Sequence, residues 1–171
     1  MRRVLVAFAT VLIAFLLQCT VFQYFSLGGI GPNIMVIVTA SIGFMRNEKS
    51  GLLIGFFSGL LIDIFFGNII GFYALLYMLI GYMNGTFSRI FYPEDLKLPL
   101  ALIAVSDLSF GVLCYVFLFL LNGQFHFTYY LLHVIIPEAV YTMVIGIVIY
   151  PLLLVIHSYL DKLDRSDNEL V

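Results

Sequence analysis

The chain alternates long apolar runs with short polar breaks, and the runs have the length of helices rather than strands. A helix needs about 20 apolar residues to cross the hydrocarbon of a bilayer, with a range near 17–25. By that measure a first span covers about Val4–Phe25. Ser26-Leu27-Gly28-Gly29-Ile30-Gly31 predicts a flexible turn, and Pro32 opens the next helix, where its missing N–H is no loss. That second span, Pro32–Met45, is short, and Arg46-Asn47-Glu48-Lys49 breaks it from a third at Ser50–Phe66. Gly67-Asn68 turns into a fourth, Ile69–Ser88. After the charged stretch Arg89 to Pro99 comes a fifth, Pro99–Leu121, and after Asn122-Gly123-Gln124-Phe125-His126 a sixth, about Tyr130–Tyr159. Pro137 and Pro151 are expected to bend the sixth. A tight or re-entrant hairpin at spans two and three is the alternative, since both are short.

Basic residues then choose an orientation. Arg2 and Arg3 precede span one, Arg46 and Lys49 follow span two, Arg89 and Lys97 follow span four, and Lys162 and Arg165 follow span six. With six spans, all 8 lysines and arginines fall on one side; a five-span arrangement would split them. The positive-inside rule places that side, with both termini, in the cytoplasm. Arg2-Arg3 followed by Val4–Leu17 mimics a signal peptide, but no small-x-small cleavage site follows, so a retained first span is expected. Leu16-Leu17-Gln18-Cys19 resembles a lipoprotein box only weakly, because Gln18 stands where a small residue belongs.

Composition agrees with a membrane protein. The chain is 63 % hydrophobic and 11 % charged, against about 45–50 % and 25 % for a soluble domain. The reading is an all-α polytopic bundle: one transmembrane domain over residues 1–160 and a short charged cytoplasmic tail over 161–171. Net charge is −2, with no basic patch suited to nucleic acid. Cys19 and Cys114 lie in apolar runs without a CxxC or Cys/His cluster, so no metal site and no cofactor are expected, and two free thiols are favoured over a disulfide.

Two patterns could carry function. Gly51, Gly55, Gly59, Asp63 and Gly67 recur every four residues on one face of span three, and Gly81 and Gly85 repeat the theme on span four, in line with Tyr77 and Tyr73. Such small-residue faces let another helix approach closely. The groove could pack spans three and four as a close antiparallel pair, or it could dock the helix of a different protein. The second pattern is a set of intramembrane polar groups: Asp63, Asp107, Glu138 and Asn33. A carboxylate in lipid costs several kcal/mol unless paired, hydrated or protonated, and no lysine or arginine lies within a span. Asn33, Asn84, Ser106, Ser109 and the tyrosines are the candidate hydrogen-bonding partners. Asp63 reads as a carboxyl pinning the Gly67-Asn68 turn or as a partner contact. Asp107 reads as a buried interhelical hydrogen bond or as a proton or ligand site, and Glu138 as a side chain that reaches water.

Enzyme chemistry finds little support. An intramembrane aspartyl protease needs two carboxyls sharing a proton, with Gly-x-Gly-Asp and Tyr-Asp contexts. Leu61-Ile62-Asp63 and Val105-Ser106-Asp107 fit neither. His126, His133 and His157 are scattered over loop and span ends, as interfacial residues are. No nucleotide loop or Ser/His/Asp constellation appears.

Pro32-Asn33 opening the second helix, the Gly51–Gly59 ladder running into Gly59-Leu60-Leu61-Ile62-Asp63-Ile64-Phe65, then Gly67 and Gly71-Phe72-Tyr73-Ala74, resemble the rod-shape-determining MreD family of bacteria. The specific part of the likeness is Pro32–Gly85; spans five and six match in character. The resemblance implies a non-enzymatic scaffold in the cytoplasmic membrane that binds MreC. Through MreC it would connect to MreB, to the RodA-type glycosyltransferase and to a class B penicillin-binding transpeptidase. That family is also similar in predicted fold to the substrate-binding subunits of energy-coupling-factor transporters. Here lies the alternative function, a small-molecule capture subunit with an outward polar pocket built from Asn33, Asp63, Asn68, Gln124 and Glu138. Against it, Ala7, Ala9 and Ala14 do not hold the alanine-x-x-x-alanine docking face of such subunits.

Overall fold

A computed structural model describes residues 2–24, 26, 29–67, 69–90, 96–120 and 126–169. Six long helices carry the fold: α1 Arg2–Cys19, α2 Ile34–Met45, α3 Glu48–Phe66, α4 Phe72–Thr86, α5 Lys97–Leu118 and α6 Ile136–Glu169. A short turn of helix, Val21–Tyr24, follows α1, and a 3₁₀ turn, Phe87–Ile90, follows α4. Side-chain caps set two of the starts. Asn33 accepts from the Val36 N–H and Asn47 accepts from the Ser50 N–H, each filling one of the donors that a helix start leaves open. The helix Phe127–Tyr130 and a π-helical turn, Leu131–Ile135, lead into α6 just before Pro137. In that turn the Ile136 N–H reaches back to the Leu131 carbonyl, the wider bonding with which helices absorb an irregularity. Pro151 lies inside α6 without ending it.

The centre of the bundle is α2. Every residue from Ile34 to Met45 is buried, and α2 meets α1, α3, α4, α5 and α6. Its 12 residues make a rod of about 18 Å at 1.5 Å per residue, too short for a hydrocarbon core of about 30 Å. Five neighbours therefore shield it from lipid, and its short length leaves a recess at each end. Successive helices run up and down. The pairs Tyr115–Tyr130 and Gly111–Ile135 set α5 against the run leading into α6 in antiparallel order.

Three stretches are long and apolar enough to cross a membrane: Glu48–Phe66, Lys97–Leu118 and Phe127–Leu163. Arg3–Cys19 and Ile34–Met45 are shorter apolar helices. The chain is thus all-helical as expected, and span three, α3, has full crossing length. The second expected span, short as its sequence indicates, is a buried central post. Large apolar side chains such as Leu5, Ile13, Ile64, Leu75, Val105, Val148 and Val155 cover the outside, where a bilayer would meet them.

Candidate functional site

The glycine ladder forms a seam between α3 and α4. A Cβ placed on Gly51 would overlap the carbonyl of Gly81, one on Gly55 the carbonyl of Tyr77, and one on Gly59 the backbone of Tyr73 and Ala74. On the other side, a Cβ on Gly81 would strike Gly51, and one on Gly85 would strike Glu48. Each four-residue step along α3 thus meets a four-residue step back along α4. From α2, Gly43 joins the seam, its Cβ position falling 2.6 Å from the Gly81 carbonyl oxygen. Backbones this close are held by van der Waals packing and Cα–H···O contacts. Of the two readings of Gly51, Gly55, Gly59, Gly81 and Gly85, close packing of this chain's own helices is the one these contacts display, with α3 and α4 lying against each other along the strip. Gly67 plays a different part: it caps α3, its N–H donating to the Asp63 carbonyl.

Asp63 closes the seam at the turn. Its carboxylate accepts from the backbone N–H groups of Gly71, Tyr73 and Ala74, each at 2.9 Å. These are donors at and around the start of α4, where the helix dipole favours a negative charge. The side chain is fully buried, and these bonds pin the turn. Gly71, at φ 100, takes the left-handed conformation that lets the chain enter α4.

A polar cluster surrounds the start of α2. The Asn33 N–H donates to Thr142 Oγ1 at 2.9 Å, the Met35 N–H to Gln18 Oε1 at 3.0 Å, and the Tyr77 hydroxyl to Asn33 Oδ1 at 2.9 Å. Four elements are tied by these three bonds. Asp107 sits behind them, 3 % exposed. Neither of its oxygens has a well-formed hydrogen bond, although Thr142 and Asn33 stand beside it. Thr142 accepts with a lone pair, which leaves its hydrogen able to turn toward that carboxyl. Ser106 is engaged elsewhere, holding Asn84 Nδ2 at 2.7 Å, and Ser109 bonds its own helix at Val105.

Over this cluster the recess above α2 opens as a cavity of about 360 Å³. Gln18, Asn33, Tyr73, Tyr77, Phe110 and Glu138 are among its walls. Of the pocket expected for a capture subunit, Asn33 and Glu138 are therefore present. Asp63 is absent from these walls, because α4 claims it, and Asn68 and Gln124 lie outside the described residues. Thr142 and Gln18 escaped the sequence reading. The available signals were a lone polar residue in an apolar run for Gln18, and a place one helical turn after Glu138 for Thr142.

At the opposite end the first and last helices meet. Arg3 Nη2 lies 3.0 Å from Asp161 Oδ1, and His157 Nδ1 lies 3.3 Å from Asp161 Oδ2. The Arg46 guanidinium reaches the Arg3 carbonyl at 3.5 Å. His157, expected only as an interfacial residue, thus stands against the carboxylate of the Arg3–Asp161 ion pair. Cys19 and Cys114 are free.

A family model described as rod shape-determining protein MreD matches residues 1–160. No curated protein matches the chain, and no solved structure does.

Proposed function

Since the chain belongs to the MreD family and so has a role in rod-shape determination, we propose that it is a non-enzymatic scaffold of the cell-elongation machinery. In this reading six helices sit in the cytoplasmic membrane with both termini inside, and the bundle binds MreC. MreC in turn links it to MreB, to the RodA-type glycosyltransferase and to the class B transpeptidase. The match over residues 1–160 is the observation that carries the reading. The glycine seam supports it by making α3 and α4 one stiff plank. Leu53, Leu75, Leu79 and Tyr82 lie on the outside of this plank, exposed to whatever surrounds the bundle. A single transmembrane helix of MreC would pack there. Asp63 and the seam glycines then serve the partner indirectly, by holding the plank straight.

Photocrosslinking residues placed singly at Leu53, Leu75, Leu79 and Tyr82, and at Val144 and Val148 on α6 for contrast, test the reading in native membranes. MreC should be captured from the α3–α4 positions and not from α6. Capture of MreC from none of the six sites would remove the scaffold reading. The cavity above α2 favours a second reading, the capture subunit of an energy-coupling-factor-type transporter. Recovery of an ATP-driven energising module in place of MreC would select it.

A further inference from the structure

From the walls of the cavity above α2 we infer a binding site for an organic ammonium ion, either a free amine or the headgroup of an aminophospholipid. The assignment does not depend on the scaffold reading. Three observations carry it.

The first is size. About 360 Å³ lies within the range of small-molecule sites, about 300–1,000 Å³, and is far more room than a bare metal ion needs. The second is charge. Glu138 stands in the wall, and Asp107 is buried beside Asn33 and Thr142. No lysine, arginine or histidine is among the lining residues. Asp107 is sealed from solvent without a well-formed hydrogen bond, and Glu138 has no ion pair among the described residues. No cationic side chain stands in these walls to hold an anion. The start of α2 would ordinarily attract one, but the N–H groups of Asn33, Met35 and Val36 already donate to Thr142, Gln18 and Asn33 Oδ1.

The third is the aromatic wall. Phe22, Tyr73, Tyr77 and Phe110 line the cavity. The Phe110 ring centre lies 5.0 Å from that of Tyr77 and 6.2 Å from that of Tyr73, so three of the four form one continuous surface. Aromatic rings beside a carboxylate are a means by which proteins hold alkylammonium groups, through cation–π attraction and a charge partner. In this site Glu138 supplies the carboxyl, the aromatic residues line the wall beside it, and Gln18 and Asn33 supply polar edges.

The full-length chain in detergent, titrated with choline and with ethanolamine by calorimetry, tests the inference. Saturable binding is expected, with each amine displacing the other. Choline's uncharged isostere, 3,3-dimethyl-1-butanol, should not compete. Glu138→Gln should weaken binding at least tenfold. A parallel arm compares melting in nanodiscs of phosphatidylethanolamine and of phosphatidylglycerol. If the free amines do not bind but phosphatidylethanolamine raises the melting temperature, and Glu138→Gln erases the rise, the ligand is the lipid headgroup. Absence of both effects overturns the inference. So does equal binding of the uncharged isostere, or undiminished binding by a folded Glu138→Gln protein.

Discussion

Asp63 shows how one carboxylate can settle a junction between helices. Its three bonds are charge-assisted, and hydrogen bonds to charged groups contribute about 1.5–3 kcal/mol each, with unsatisfied donors adding to the loss when one partner is removed. Asp63→Ala should therefore destabilise the protein by more than about 2 kcal/mol, seen as a lower melting temperature in detergent. Asp63→Asn, with a single acceptor oxygen, should fall between the two. Equal melting of all three would mean that the turn is held by something else. The role of Asp63 was legible because its position extends the ladder to within a few residues of Gly67-Asn68, where only a cap is needed. The bonds of Thr142 and Gln18 were not legible. Thr142 meets Asn33 across 109 residues of chain, and no local periodicity connects residues so far apart.

At the scale of the element, spacing alone predicts much of the α3–α4 hairpin. Glycines four apart on two helices joined by a tight turn can register in only a few ways, and the observed one pairs every glycine with backbone. What spacing could not decide was whether the groove served this chain or another. The distinction has a direct test in two alanines. Gly51→Ala puts a methyl group into the Gly81 carbonyl and should cost about 1–3 kcal/mol or more, as overpacking does, forcing the hairpin apart. Gly146→Ala faces only ordinary contacts, with Leu100 at 3.5 Å and Ile103 at 3.8 Å. It should be neutral or stabilising by up to about 1 kcal/mol, the helix-propensity difference between the two residues. Paired thermal melts decide it, and equal losses at the two positions would show that the seam is no tighter than the rest of the bundle. The central place of α2 was hidden for another reason. Its uniformly apolar sequence reads the same whether lipid or protein surrounds it, and only its short length hinted at the answer.

For the molecule as a whole, the ends differ in chemistry: Arg3, Arg46, His157 and Asp161 gather at one, and the aromatic cavity opens at the other. The charge count along the sequence made this polarity visible, because alternating helices return basic residues to the same end. It leads to a labelling prediction in a background with Cys19 and Cys114 replaced. A membrane-impermeant maleimide should modify His126→Cys in intact cells and modify Lys49→Cys only after the membrane is opened. Reversed labelling would invert the orientation, and labelling of both would end the six-span arrangement. The buried post also bears on how the protein is made. The hydroxyl of Thr142 is synthesised long after the Asn33 amide it receives, and the helix that brings it leaves the ribosome after the other five. Through most of biosynthesis, then, the middle of this protein is a short greasy segment with an open end and no finished wall. Arrival of α6 closes this side of the interior, so a chain cut short before Thr142 is left with the Asn33 amide bare at the head of the post.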